Sequence, residues 1–159
     1  MSEFNLAIFE YISNFKYPIE WKGITIHHSL TKDQHTEDWK SIDYYHTKVL
    51  GWKDIGYHAG MEIVNGRLYY KIGRPLDMQG AHEPKVNKTC IGICVVGNFD
   101  LVAPTKLHYW LLASLCRAFQ KRFDISIENI NFHRDYSNKT CPGAQFDKVI
   151  LRRCIAGLV

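Results

Sequence analysis

A chain of 159 residues with 46% hydrophobic and 23% charged side chains has the make-up of one globular domain with a single core, which excludes wholesale disorder and membrane embedding. A formal charge of +4 suits a polyanionic partner through long-range attraction, but no basic stripe, CxxC pair or Arg/Lys-crowded helix accompanies it, so nucleic acid is not expected. Five cysteines, an odd number, argue against a fully paired disulfide framework and fit a reducing compartment.

In chain order, Phe4, Ile8, Tyr11, Ile12 and Phe15 recur at helical spacing and predict an amphipathic helix that ends before Pro18. Glu3 and Glu10 in this stretch oppose both a secretory signal and binding to anionic lipid, so the protein is expected in the cytoplasm as synthesised. No apolar run approaches the roughly 18 residues of a membrane span, so no insertion is expected. Ile24 to Ser29, ITIHHS, is a β-branched run ending in two histidines, as if a core strand presented imidazole at its tip. A helix follows, with Thr36 as N-cap, Glu37 and Asp38 in the first turn, Trp39, Ile42, Tyr45 and Val49 on the buried face, and Gly51 as the stop.

Ile55 to Val64 and Leu68 to Ile72 read as strands joined by Asn65-Gly66, a strong hairpin signal. Tyr57 and His58 sit near its start on opposite faces, so one of them faces any site there and the other is structural. Gly73 to Lys88 is irregular, whereas CIGICVV from Cys90 to Val96 is apolar enough for a central strand buried on both sides, with Cys90 and Cys94 as buried thiols. Pro104 and Thr105 open a helix to about Phe123, with Leu107, Trp110, Leu111, Leu115, Ala118 and Phe119 inward. His35, His46 and His108 have no evident partner and read as surface residues. Ile125, Ile127 and Ile130 suggest a short strand, and Phe146, Val149, Ile150 and Cys154 a last helix. With no internal repeat or composition shift, this order predicts one α/β domain over residues 1–159, a mixed central sheet flanked by helices.

The chemistry concentrates in the loop between the last strand and helix, Asn131 to Gly143, which holds His133, Lys139 and Cys141. Imidazole and thiolate together suit Zn²⁺, and one histidine from the end of ITIHHS would complete a two-His, one-Cys set. Three protein ligands leave a fourth tetrahedral position open, as in a catalytic zinc. Whether that histidine is His27 or His28 is open at this point, because the two face opposite sides of a strand.

IHHS at Ile26 to Ser29, GWKDIGYH at Gly51 to His58, GAH at Gly80 to His82, IGICVVGNF at Ile91 to Phe99 and HRDYSNKTCPG at His133 to Gly143 together resemble the zinc-dependent N-acetylmuramoyl-L-alanine amidases. That superfamily takes in phage endolysins and the peptidoglycan recognition proteins of animals, and the similarity runs from about Trp21 to Ala156. The resemblance implies zinc on His27, His133 and Cys141, catalytic roles for Tyr57 and Lys139, and Arg74 and His82 at the border of the substrate groove. It also implies the reaction: zinc-activated water cleaving the amide between the lactyl group of N-acetylmuramic acid and L-alanine in bacterial peptidoglycan. The protein would be a monomeric, phage-type endolysin that acts on the wall after release. The animal relatives commonly carry a disulfide, for which no matching close pair is seen here. Two alternatives share the fold, a non-catalytic peptidoglycan-binding receptor and a cytoplasmic recycling amidase for anhydromuropeptides. The first typically loses the cysteine ligand and the second more often uses Asp in its place, and both disagree with Cys141.

Overall fold

Strand β1 (Gly23–His28) is buried along its whole length and lies between two parallel neighbours, β4 (Cys90–Val95) and β5 (Ile130–Phe132). The computed structural model describes residues 3–16, 19–31 and 38–158, so Thr36, Glu37, His35 and Pro18 lie outside the described residues, as does the side chain of Phe4. β2 (Ala59–Val64) joins β4 in parallel and pairs antiparallel with β3 (Arg67–Ile72), giving a mixed five-stranded sheet in the order β3-β2-β4-β1-β5. The hairpin turn is where the sequence places it: Asn65 and Gly66 both take positive φ, 50° and 73°, between the Val64 and Arg67 pair.

Alternation along the strands sorts the two faces. Ile24 and Ile26 of β1, with Ile91, Ile93 and Val95 of β4, turn into the main core. There they meet Ile8 and Ile12 of α1 (Glu3–Asn14), Leu112, Leu115, Cys116 and Phe119 of α3 (Lys106–Phe123), and Leu151, Cys154 and Ile155 of α4 (Lys148–Ile155). The opposite face carries a smaller cluster of Trp39, Ile55, Cys94 and Val96, with Ile42 and Tyr57 packed on it, under the short helix α2 (Asp38–Tyr44). His27 pairs with Cys94 in the β1–β4 register and so belongs to this thinner side. His28 turns the other way, where its Nδ1 accepts from Phe99 N at 3.2 Å.

Several helical faces are rotated from their predicted positions. α2 passes into a π-helical turn over Tyr45–Val49, closed by Leu50 N donating to Tyr45 O at 2.9 Å. The wider turn shifts the phase, so Tyr45 and Val49, predicted to be buried, are exposed, and His46, predicted at the surface, turns inward to accept from Gly56 N at 3.1 Å. In the first turns of α3 the predicted face is wrong, Leu107 and Trp110 being exposed while His108, Tyr109 and Leu112 are buried; farther along, Leu115 and Phe119 are buried and Leu111 and Ala118 pack on the core as predicted. At the start of α3, Thr105 and His108 form a reciprocal capping box, His108 Nδ1 lying 2.8 Å from Thr105 Oγ1 and accepting from Thr105 N at 3.2 Å. His108 is therefore a capping residue and not a surface one. In α4, capped by Asp147, Val149 and Ile150 are exposed and Leu151 is buried. Before β5, Ser126 caps a 3₁₀ turn over Ile127–Asn129, so the strand begins only at Ile130. Among the described residues no helix is long and apolar enough to cross a membrane.

His58 illustrates the interior's demand for neutral, satisfied polar groups. Its Nδ1 accepts from Gly92 N and its Nε2 donates to Met78 O, both at 3.0 Å, and burial pushes its pKa down to about 3. A proton added at Nδ1 would face the Gly92 N–H. Because the folded pKa lies below the ordinary value of 6.5, the stability tied to neutral His58 is complete above about pH 6.5 and is lost as pH falls towards 3. With a chelator present, the urea midpoint should therefore drop between pH 7 and pH 4 more steeply in wild type than in His58→Gln. Equal slopes in urea titrations across that range would place the acid sensitivity elsewhere.

Candidate metal centre

Three elements bring the candidate ligands together. β1 delivers His27 at its C-terminal end, and β5 delivers His133 as the first residue of a 3₁₀ turn over His133–Asp135. Asp135 Oδ2 accepts from Phe132 N at 2.7 Å and fixes the strand-to-turn corner. The loop then doubles back so that Arg134 N donates to Cys141 O at 2.8 Å, and the Arg134 guanidinium ties down Gly143 O and Phe146 O, each at 2.6 Å. From outside, Asp100 accepts from Thr140 Oγ1 at 2.8 Å and from Ala144 N at 2.7 Å. Gly143, at φ 119°, sits so close to Phe99 that a Cβ there would come within 2.4 Å of backbone.

The result is a tight convergence. His27 Nδ1 and His133 Nδ1 are 3.1 Å apart and Cys141 Sγ is 3.8 Å from His27 Nδ1; the three potential ligand atoms all lie within 4.8 Å of one another, and all three residues are buried. His28 contributes its backbone rather than its ring, with His28 N donating to Cys141 Sγ at 3.4 Å. The other nitrogens of the two imidazoles are taken: His27 Nε2 shares a 3.1 Å hydrogen bond with His82 Nδ1, and His133 Nε2 lies 2.9 Å from Glu83 Oε2. Two imidazoles and a thiol form a borderline-to-soft donor set that fits Zn²⁺ and does not fit Ca²⁺ or Mg²⁺, which take oxygen.

Burial and like-charged neighbours keep these rings neutral. His27 is held well below the ordinary imidazole value, first by desolvation and then by His82, His133, His28 and Lys139. Burial also lowers His133, against the pull of Glu83. It pushes the Cys141 thiol up to about 11, while the His28 N–H and the Lys139 charge act the other way. Tyr57 is half-buried with its ring centroid 5.2 Å from that of His27, and burial, then Cys94 and Cys141, raises its phenol well above the ordinary value. Lys139 is exposed on the same loop as Cys141.

A model of the family described as N-acetylmuramoyl-L-alanine amidase matches residues 17–144. The chain belongs to this amidase family. It is 28% identical over 128 residues to the endolysin of Klebsiella phage KP32, covering 77% of this chain and 81% of that one. It is 31% identical over 105 residues to peptidoglycan-recognition protein SC2 of Drosophila simulans, covering 65% of this chain but only 55% of that protein. Among solved structures, the N-acetylmuramoyl-L-alanine amidase LysC from Clostridium intestinale superposes with a TM-score of 0.72 at 28% identity, over 89% of this chain and 88% of that one.

Within this amidase fold, the residues expected at the groove border take different places. Arg74 is buried and spends its guanidinium on backbone, donating to Ile55 O at 2.8 Å, Asp54 O at 2.9 Å and Gln79 O at 3.0 Å. It nevertheless lines a cavity of about 560 Å³ together with Trp52 and Met78. His82 is not at an open groove: its ring is buried behind His27, with Nε2 donating to Cys90 O at 3.1 Å. Sequence reasoning passed over Glu83, which touches His133, and the only available signal was its place beside His82 in an otherwise unassigned loop. It also passed over Gly92, where a Cβ would meet the His82 ring at 2.4 Å. His46, missed for the phase reason given above, stacks on Trp52 with centroids 4.6 Å apart and stands 5.7 Å from Tyr57.

Replacing the thiol should weaken the centre without unfolding it, because a neutral hydroxyl is a far poorer ligand than a thiolate. Metal analysis after dialysis should find near-stoichiometric zinc in wild type and little in Cys141→Ser; full retention by the variant would remove Cys141 from the ligand set.

Proposed function

We propose that this chain is a zinc-dependent N-acetylmuramoyl-L-alanine amidase of the endolysin type, with residues 1–159 as one catalytic domain. Its substrate is bacterial peptidoglycan, and the bond cleaved is the amide between the lactyl group of N-acetylmuramic acid and L-alanine. The observation that carries this reading is the convergence of His27, His133 and Cys141. Those three residues would hold the ion, which when bound supplies a Lewis acid able to polarise a carbonyl and to lower the pKa of water.

The chain's own residues supply the rest. A phenol kept protonated by burial, Tyr57 is a hydrogen-bond donor beside His27, suited to the carbonyl oxygen on which negative charge develops. Lys139 adds a fixed positive charge to the same centre, felt by His27, His133 and Cys141, and so favours an anionic transition state over a neutral ground state. The formal charge of +4 draws the protein towards acidic wall polymers, an attraction that salt screens. The endolysin reading is supported by the coverage of the phage relative and by five free cysteines; the presence of Cys141 speaks against a receptor and against a recycling enzyme.

The products decide among these classes. Digestion of purified peptidoglycan should release new α-amino groups on L-alanine with no new reducing sugar ends, and a chelator should stop it. Binding without release would make the protein a receptor, and amino groups freed deeper in the stem would make it an endopeptidase. Tyr57→Phe and Lys139→Ala should retain fold and zinc yet lose on the order of a hundredfold in turnover. Wild-type rates in both variants would make those two residues structural.

A further inference from the structure

The loop from Gly80 to Cys90 reaches both imidazoles through adjacent residues, and hydrogen-bond logic fixes what it does there. Cys90 O, 3.1 Å from His82 Nε2, can only accept, so Nε2 carries the hydrogen. In the neutral ring Nδ1 is then bare, and His27 Nε2, 3.1 Å away, must be the donor. A hydrogen on His27 Nε2 leaves its Nδ1 bare and directed at His133 and Cys141. On the other side, Glu83 Oε2 accepts from His133 Nε2 at 2.9 Å, which leaves His133 Nδ1 bare as well. Two bare nitrogens 3.1 Å apart repel each other; the Cys141 thiol, 3.8 Å from His27 Nδ1, can offer its one hydrogen to only one of them, whereas a cation among the three donors satisfies both. The opposite tautomer in either ring would aim an N–H at the place the cation needs.

We propose that His82 and Glu83 are positioning residues, His82 imposing the Nε2–H tautomer on His27 and Glu83 imposing it on His133, so that both Nδ1 lone pairs serve one metal ion. This rests on the zinc reading above and extends it to the outer layer of the centre, where such partners typically orient the ligands. The dipeptide is held for the task. Asn87 Oδ1 accepts from both His82 N and Glu83 N at 2.8 Å, and the His82 ring lies over Gly80 and Gly92, where any Cβ would approach its Cδ2 to 2.4 Å. A filler side chain would need neither the Cys90 carbonyl behind it nor the paired glycines that admit an imidazole at this depth.

The test uses the full zinc-loaded chain labelled with ¹⁵N, reading imidazole N–H resonances and zinc affinity by chelator competition. Wild type should show slowly exchanging Nε2–H signals from both His27 and His133. Glu83→Ala should lose the His133 signal and keep that of His27, and His82→Ala should do the reverse, each weakening zinc by about 10- to 100-fold. Glu83→Gln, whose amide oxygen still accepts, should recover most of the affinity, and with His82→Gln it carries the test where an alanine variant does not fold. Zinc affinity unchanged in both positions, or loss of both signals together in a single folded variant, overturns the assignment. A wild-type chain that takes up no zinc at all would instead remove the metal reading on which it stands.

Discussion

The site depends on the two-residue period of β1. Ile24 and Ile26 are committed to the helix-covered core, and that commitment turns His27 to the opposite face beside Cys94. A one-residue slip in register would exchange His27 for His28 and turn Ile24 and Ile26 out of the core. Parallel partners on both sides, β4 and β5, lock the register, and because parallel neighbours present their C-terminal ends together, β5 places His133 beside His27. The core and the candidate metal centre are thus two outcomes of one pleat.

Polar atoms deep in a protein are costly unless paired, and this protein pairs them in sequence from backbone outward. The Cys90 carbonyl engages His82, His82 engages His27, Glu83 engages His133, and the His28 amide engages Cys141. Each pairing ends at the same small volume. The loops that provide these partners are irregular, yet they are not loose: Asn87 and Arg134 each hold two backbone groups in place, and Asp100 holds one backbone amide and the Thr140 hydroxyl.

What the sequence disclosed follows from how local each signal is. Asn65-Gly66 announces a turn by its own conformational preference, and the apolar runs of β1 and β4 announce buried strands, so the sheet was legible. The group of His27, His133 and Cys141 that the fold brings together was named through the resemblance, which selected His27 over His28 where alternation alone said only that they differ. Helix phase was less so. A capping box turns His108 inward at the start of α3, and a π-helical turn over Tyr45–Val49 shifts a face by a fraction of a turn; nothing in apolar spacing reports either. The contacts of Arg74, His82 and Glu83 depend on which carbonyl or ring lies within about 3 Å, a fact of tertiary placement that a loop sequence does not encode in any period.

All five cysteines are buried and unpaired, Cys141 among them. This amounts to oxidative durability without cross-links. Thiols inside close-packed surroundings such as Cys94 and Cys116, with pKa values raised by burial, offer little thiolate to air, peroxide or a neighbouring chain. Purified protein should stay monodisperse through storage without added reductant. A thiol reagent should find its targets on the timescale of unfolding and not on that of mixing, making the rate of labelling a gauge of how often the interior opens.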